Sequence, residues 1–228
     1  MQDLCIAKYL GLVPYQEAWD LQVSIHTQVA ERNSPNSLLL LEHPHVYTLG
    51  RRGQTSDILA DESLLEKLGA EVHHVDRGGE VTYHGPGQLV GYPIVNLRKW
   101  RGGPLKFVQA LEQTLISALA EYGIEAESED RPTGVWVGNA KVAAIGVRVS
   151  QGVSMHGFAL NVSPDLSYFK HIVPCGLPDA DVTSMAQQLE RVPEVGDVAE
   201  VVTRCFGEAF GMRMELPSET SVEKHWSH

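Results

Sequence analysis

The stretch Val135-Trp136-Val137-Gly138-Asn139-Ala140-Lys141-Val142-Ala143-Ala144-Ile145-Gly146-Val147-Arg148-Val149-Ser150-Gln151-Gly152-Val153 decides the fold class. Two β-branched, apolar segments flank Gly138-Asn139, a favoured two-residue hairpin loop. A second turn at Ser150-Gln151-Gly152 sends the chain back through Val153 to Val162, so the reading is a three-stranded meander.

Upstream of it, Leu4 to Leu10, Ser37 to Glu42, Val46 to Leu49, Val72 to Val75 and Leu89 to Val95 read as further strands. Pro14 opens a helix with Ala18, Leu21, Ile25 and Val29 on one face, and Asp61 to Leu68 forms a short helix stopped at Gly69. Pro104 starts a helix with Phe107, Leu111, Leu115 and Leu119 inward and Gly123 past its end. A last helix spans about Glu194 to Phe210, with Val198, Val202, Cys205 and Ala209 on one face. Strands and helices do not alternate regularly, which predicts an α+β fold with mixed and antiparallel sheets flanked by helices. No linker rich in Pro, Gly or Ser marks a boundary, so residues 1–228 read as one domain.

Composition narrows the function. Hydrophobic residues make up 43% of the 228, ordinary for a soluble globular protein. The formal net charge of −11 argues against a nucleic-acid partner, which would demand phosphate-neutralising Lys and Arg. The apolar run Leu38 to Leu41 is far short of the ~20 residues of a membrane span, and Met1 to Lys8 is no secretory signal. Three widely spaced cysteines make no disulfide framework, so a cytoplasmic protein with free thiols is expected. His43-x-His45 and His73-His74 lack a third ligand at a diagnostic spacing, and no metal site or cofactor is expected.

Three places carry chemistry. Arg77-Gly78-Gly79-Glu80-Val81-Thr82-Tyr83-His84-Gly85-Pro86-Gly87-Gln88 reads as a Gly-rich loop that lets backbone approach a ligand, with Arg77 and His84 as polar ends. It has neither dinucleotide nor P-loop spacing, and taken alone it reads first as a tight turn before a strand. Cys175 lies among Pro174, Gly176 and Pro178 on an irregular loop, unlike Cys5 and Cys205 within apolar periodic elements. A loop thiol can serve as a nucleophile once ionised, or be an inert small side chain. Lys141 shares by alternation the face of Ala143, Ile145 and Val147, where a desolvated lysine can act as a base or merely snorkel.

Taken together, Glu42 to Gly50, Arg77 to Gln88, Gly134 to Val149, Met155 to Val162 and His171 to Asp179 resemble the lipoyl(octanoyl) transferases, block by block and in order. The resemblance runs from about Leu38 to Met185, and departs at His45, where that family more often has proline. It implies the catalytic fold of the biotin and lipoate protein ligases, without ATP. It places an acyl-thioester nucleophile on Cys175 and a thiol-tuning lysine on Lys141. It places substrate contacts on Arg77, Gly78, Gly79, Glu80, Val81, Thr82, Tyr83 and His84, on Ala144, Ile145 and Gly146, and on Gly157, Phe158 and Ala159. The implied donor is octanoyl-acyl carrier protein. The implied acceptors are lipoyl domains of 2-oxoacid dehydrogenase complexes and the glycine cleavage H protein. An ATP-dependent lipoate or biotin ligase of the same fold is the alternative.

Overall fold

The computed structural model describes residues 2–100, 102–173 and 181–216; Cys175 lies outside them. In chain order the strands are β1 (Leu4–Leu12), β2 (Asn36–Glu42), β3 (Val46–Leu49), β4 (Glu71–His74), β5 (Val81–His84) and β6 (Gln88–Ile94). They continue as β7 (Val135–Val137), β8 (Ala140–Ser150), β9 (Val153–Asn161), β10 (Asp181–Val182) and β11 (Arg213–Glu215). The helices are α1 (Tyr15–Ala30), α2 (Glu62–Leu68), α3 (Leu97–Trp100), α4 (Gly103–Glu121), α5 (Met185–Gln188) and α6 (Val195–Phe210).

Among the described residues, eight strands form one sheet in the order β10-β8-β9-β6-β2-β1-β11, with β7 also paired to β8. Its centre is antiparallel, whereas β1 runs parallel to both β2 and β11 and β10 runs parallel to β8. The meander forms as its turns predict: β7, β8 and β9 pair antiparallel in sequence. A second sheet, β4-β3-β5, lies apart from the first.

The leucine run in β2 shows how the layers stack. Leu38 and Leu40 enter the larger core with Phe107, Leu111 and Leu115 of α4 and Val198 and Val202 of α6. Leu39 and Leu41 enter a second core with Ala18, Ile25 and Val29 of α1. A strand covered on both faces reads as a continuous apolar run, because neither set of alternating side chains meets water. Asp61 caps α2 by accepting from the Leu64 N–H, and Gly69 ends it in the left-handed conformation at φ 61°.

Two expectations need correction. The Gly-rich stretch is not loop throughout, since Val81–His84 pairs with β3 as β5. Polar neighbours hide its alternation, but Val81 and Tyr83 enter a small core with Tyr47 and Leu49. The very short β10 and β11 escaped sequence reading because each is held by a parallel partner distant in the chain.

Candidate active site

A cavity of about 530 Å³ opens between the two sheets. Its floor comes from alternate positions of β6, β9 and β8, where Val90, Ala159 and Ala144 stand in register and Gly157 faces Gly146. Glycine at these two positions lets neighbouring backbone come close. A Cβ on Gly146 would come within 3.0 Å of the Gly78 carbonyl oxygen, and one on Gly157 within 2.1 Å of the Gly91 carbonyl oxygen.

The wall opposite is residues 77–82 with His84. The Gly78 N–H donates to the Val147 carbonyl at 3.0 Å, which pins this loop to β8. Gly79 sits at φ 91°, a conformation that favours glycine. Arg77 braces the loop from inside. Its Nη2 donates to the Thr48 carbonyl at 2.7 Å, to Thr48 Oγ1 at 2.9 Å and to the Glu80 carbonyl at 3.1 Å. Its Nη1 donates to the Gly78 carbonyl at 3.0 Å, so much of this guanidinium is spent on the protein's own carbonyls.

The structure gathers the other expected residues at the same cavity: Glu80, Val81, Thr82, Ile145, Phe158 and Lys141 line it. Tyr83 does not. It is fully buried on the far side of β5, packed against Tyr47, Tyr168 and Phe169. Lys141, at the start of β8, lays its Nζ 4.8 Å from the centre of the Trp136 ring and donates to the Thr133 carbonyl at 3.2 Å. Gly134, at φ 135°, lets the chain pass over that stem; a Cβ there would meet Lys141 Cε at 3.2 Å. The described chain stops at Val173 and resumes at Asp181, and Ile172, Asp181 and Val182 line the cavity. Val182 is the register partner of Lys141.

The other two thiols are unsuited to nucleophilic work. Cys5 is fully buried, and desolvation pushes its thiol up to about 12. Cys205 is raised to about 11, by burial first and then by Glu121.

Sequence reading missed the polar framework around the cavity. His84 Nδ1 lies 2.7 Å from Gln88 Oε1, and Gln88 Nε2 donates to the Tyr83 carbonyl at 3.2 Å and to Asn161 Oδ1 at 2.9 Å. Asn161 Nδ2 donates to the Thr183 carbonyl at 2.9 Å, and the Thr183 N–H donates to the Lys141 carbonyl at 3.0 Å. At another edge His43 bridges the Val13 carbonyl and the Tyr92 hydroxyl, both at 2.7 Å. His156 Nε2 lies 2.8 Å from Asp76 Oδ1, and Asp76 also pairs with Arg148. His156 holds a left-handed φ of 55° inside β9, a strain that its buried contacts maintain. Burial lowers His43 to about 4 and His84 to about 3, and it lowers His156 against the opposing pull of Asp76. The available signal was polar residues on apolar strands: Gln88, His156 and Asn161 in β6 and β9.

Two layers of helix around a mixed sheet, with a cavity above its central strands, define a protein of the lipoate and biotin protein ligase fold. The same fold is found in a bipartite lipoate protein ligase from Thermoplasma acidophilum, with TM-score 0.69 and 14% identity over 99% of this chain and 91% of that one. It recurs in a lipoate-protein ligase A solved with ATP, with TM-score 0.70 and 15% identity over 99% and 93% of the two chains. Residues 14–207 match the lipoyl protein ligase A/B catalytic domain family. An octanoyltransferase of Solibacter usitatus is 49% identical over 92% of this chain and 94% of its own length. The mitochondrial octanoyltransferase LIP2 of Arabidopsis thaliana is 42% identical over 88% and 86%. The chain belongs to the octanoyltransferases of the lipoyl protein ligase A/B family.

Proposed function

We propose that this protein moves an octanoyl group from octanoyl-acyl carrier protein onto Cys175, and then onto the ε-amine of a lysine on a lipoyl domain, in the cytoplasm. Its 42–49% identity to octanoyltransferases over most of the chain carries this reading. The ligase alternative rests on fold alone, at 14–15% identity to the lipoate ligases.

The chemistry follows a Cys/Lys dyad. Lys141 Nζ takes the Cys175 proton, and the thiolate attacks the thioester carbonyl. The carrier thiolate leaves and is reprotonated by Lys141. Exchange of one thioester for another is close to isoenergetic, so no nucleotide is consumed. The lysine amine of the acceptor then attacks octanoyl-Cys175, the C–S bond breaks, and Lys141 passes the surplus amine proton to the departing Cys175 thiolate. The amide is more stable than the thioester and draws the reaction forward. Val90, Ala144 and Ala159 give the alkyl chain an apolar floor.

Mixing the protein with octanoyl-acyl carrier protein is expected to give one octanoyl adduct by intact mass, mapped to Cys175. In Lys141→Ala it forms about 100-fold or more slowly, the scale of general-base catalysis. An adduct on Cys5 or Cys205, or an undiminished rate in Lys141→Ala, overturns the dyad.

A further inference from the structure

Part of the cavity lining is polar in a way that a saturated alkyl chain does not use. Tyr15, His84 and His156 all line it, at 3%, 7% and 2% exposure. The Tyr15 and His84 rings stack at 6.3 Å and 9°, and His156 sits 6.5 Å from Tyr92 across the same cluster.

The hydrogen-bond network fixes what each ring presents. The Thr183 and Tyr83 carbonyls can only accept, so Asn161 and Gln88 must turn their amide nitrogens toward them. Gln88 Oε1 is therefore the atom facing His84, and His84 Nδ1 must carry the proton that joins them. That leaves Nε2 of neutral His84 with a bare lone pair. His156 follows the same logic: Nε2 donates to the Asp76 carboxylate, and Nδ1 is the bare nitrogen. Among the described residues, neither of these nitrogens nor the Tyr15 hydroxyl has a hydrogen-bond partner, and all three residues line the cavity. Tyr92 differs, since its hydroxyl is held by His43.

Two acceptors and one hydroxyl on the lining of one cavity select a particular ligand chemistry. A carboxylate would face two lone pairs with only Tyr15 to donate. A cation would share the cavity with the Arg77 guanidinium. A hydroxyl fits, because it can donate to an imidazole nitrogen and accept from the Tyr15 O–H.

We propose that this polar part of the cavity is a hydrogen-bonding subsite for a medium-chain acyl group that carries a hydroxyl on its alkyl chain. The inference rests on the acyl-transfer reading of the cavity and extends its substrate class. Saturated octanoyl fills the apolar floor and leaves these atoms unused; a hydroxyoctanoyl chain offers a donor to one imidazole nitrogen and an acceptor to the Tyr15 O–H.

The test compares small octanoyl thioesters with the 6-, 7- and 8-hydroxyoctanoyl thioesters, using a purified lipoyl domain as acceptor and intact mass for initial rates. An apolar pocket rejects an added hydroxyl by roughly 100-fold. Here at least one isomer is expected to reach kcat/KM within about tenfold of octanoyl, and Tyr15→Phe to lower that isomer about tenfold more than octanoyl. Octanoyl transfer by Tyr15→Phe also reports that the variant is folded. If every isomer falls more than tenfold below octanoyl, or if Tyr15→Phe lowers both substrates equally, the subsite is overturned. Failure of the wild type to transfer octanoyl itself would instead overturn the acyl-transfer reading.

Discussion

His43 and His84 are held neutral by burial, at about 4 and about 3. In the unfolded chain each titrates near 6.5. Above pH 6.5 both states are neutral and the two residues add no pH dependence. Below it the unfolded chain takes up protons that the folded protein refuses, so stability falls as pH falls, down to the folded-state values. Between pH 6.5 and 5 the loss should be about 2 kcal/mol per histidine, from ~1.4 kcal/mol per pH unit. Urea unfolding at pH 7, 6 and 5 measures it directly, and a flat stability across that range would mean the imidazoles are hydrated or already charged. The same two side chains show what a residue-level reading can and cannot see. His84 was visible as a polar member of a Gly-rich block. That burial and a glutamine would fix its tautomer was not, because Gln88, Asn161 and Thr183 converge only through the pairing of β6 with β9.

Most elements were legible because their signals are local: Pro14 and Pro104 start helices, Gly69 stops one, and Gly138-Asn139 turns a hairpin. What escaped depends on distant partners. The strand β5 exists because β3 supplies its ladder, and β10 because β8 does. The cavity is a property of two sheets and α1 together, so Tyr15 and Tyr92 could not be assigned to it from periodicity, which names a face but not what covers it. Glycines in β6, β8 and β9 make the same point quantitatively. Gly157→Ala would set a methyl carbon 2.1 Å from the Gly91 carbonyl oxygen and 2.5 Å from Pro93 Cδ, against backbone and ring that cannot swing aside. Overpacking of this kind should destabilise by about 1–3 kcal/mol. Gly196→Ala in the first turn of α6 meets Tyr9 Cε1 only at 3.6 Å and should be neutral or stabilising through helix propensity. Denaturant midpoints of the pair settle it: equal shifts would show that β6 and β9 can separate to admit the methyl.

At the scale of the whole molecule, a chain of net charge −11 must meet protein partners at one cavity mouth. If donor and acceptor domains are acidic, as the proposed function expects, long-range repulsion slows encounter unless positive charge is concentrated where they dock. Two basic clusters stand out in the sequence, Arg51-Arg52 and Arg98-Lys99 with Arg101, the last outside the described residues. The fold separates the first two. Arg98 packs beside Gly152 at the β8–β9 turn, away from the cavity lining. Arg52 lies on the cavity rim, and the Arg51 and Arg52 backbones are bonded to the Arg77 and Gly79 carbonyls of the glycine wall. The Arg52 side chain is 73% exposed and reaches Glu80 only at 3.8 Å, a surface pair of little worth that a partner carboxylate could displace. Arg51→Glu with Arg52→Glu should therefore raise KM for octanoyl-acyl carrier protein by about tenfold at low salt and flatten its ionic-strength dependence. Turnover of a small octanoyl thioester, which needs no docking surface, should fall far less. Steady-state rates on both donors between low and high salt separate the cases, and equal losses on the two would show that the arginines support the glycine wall and not the encounter.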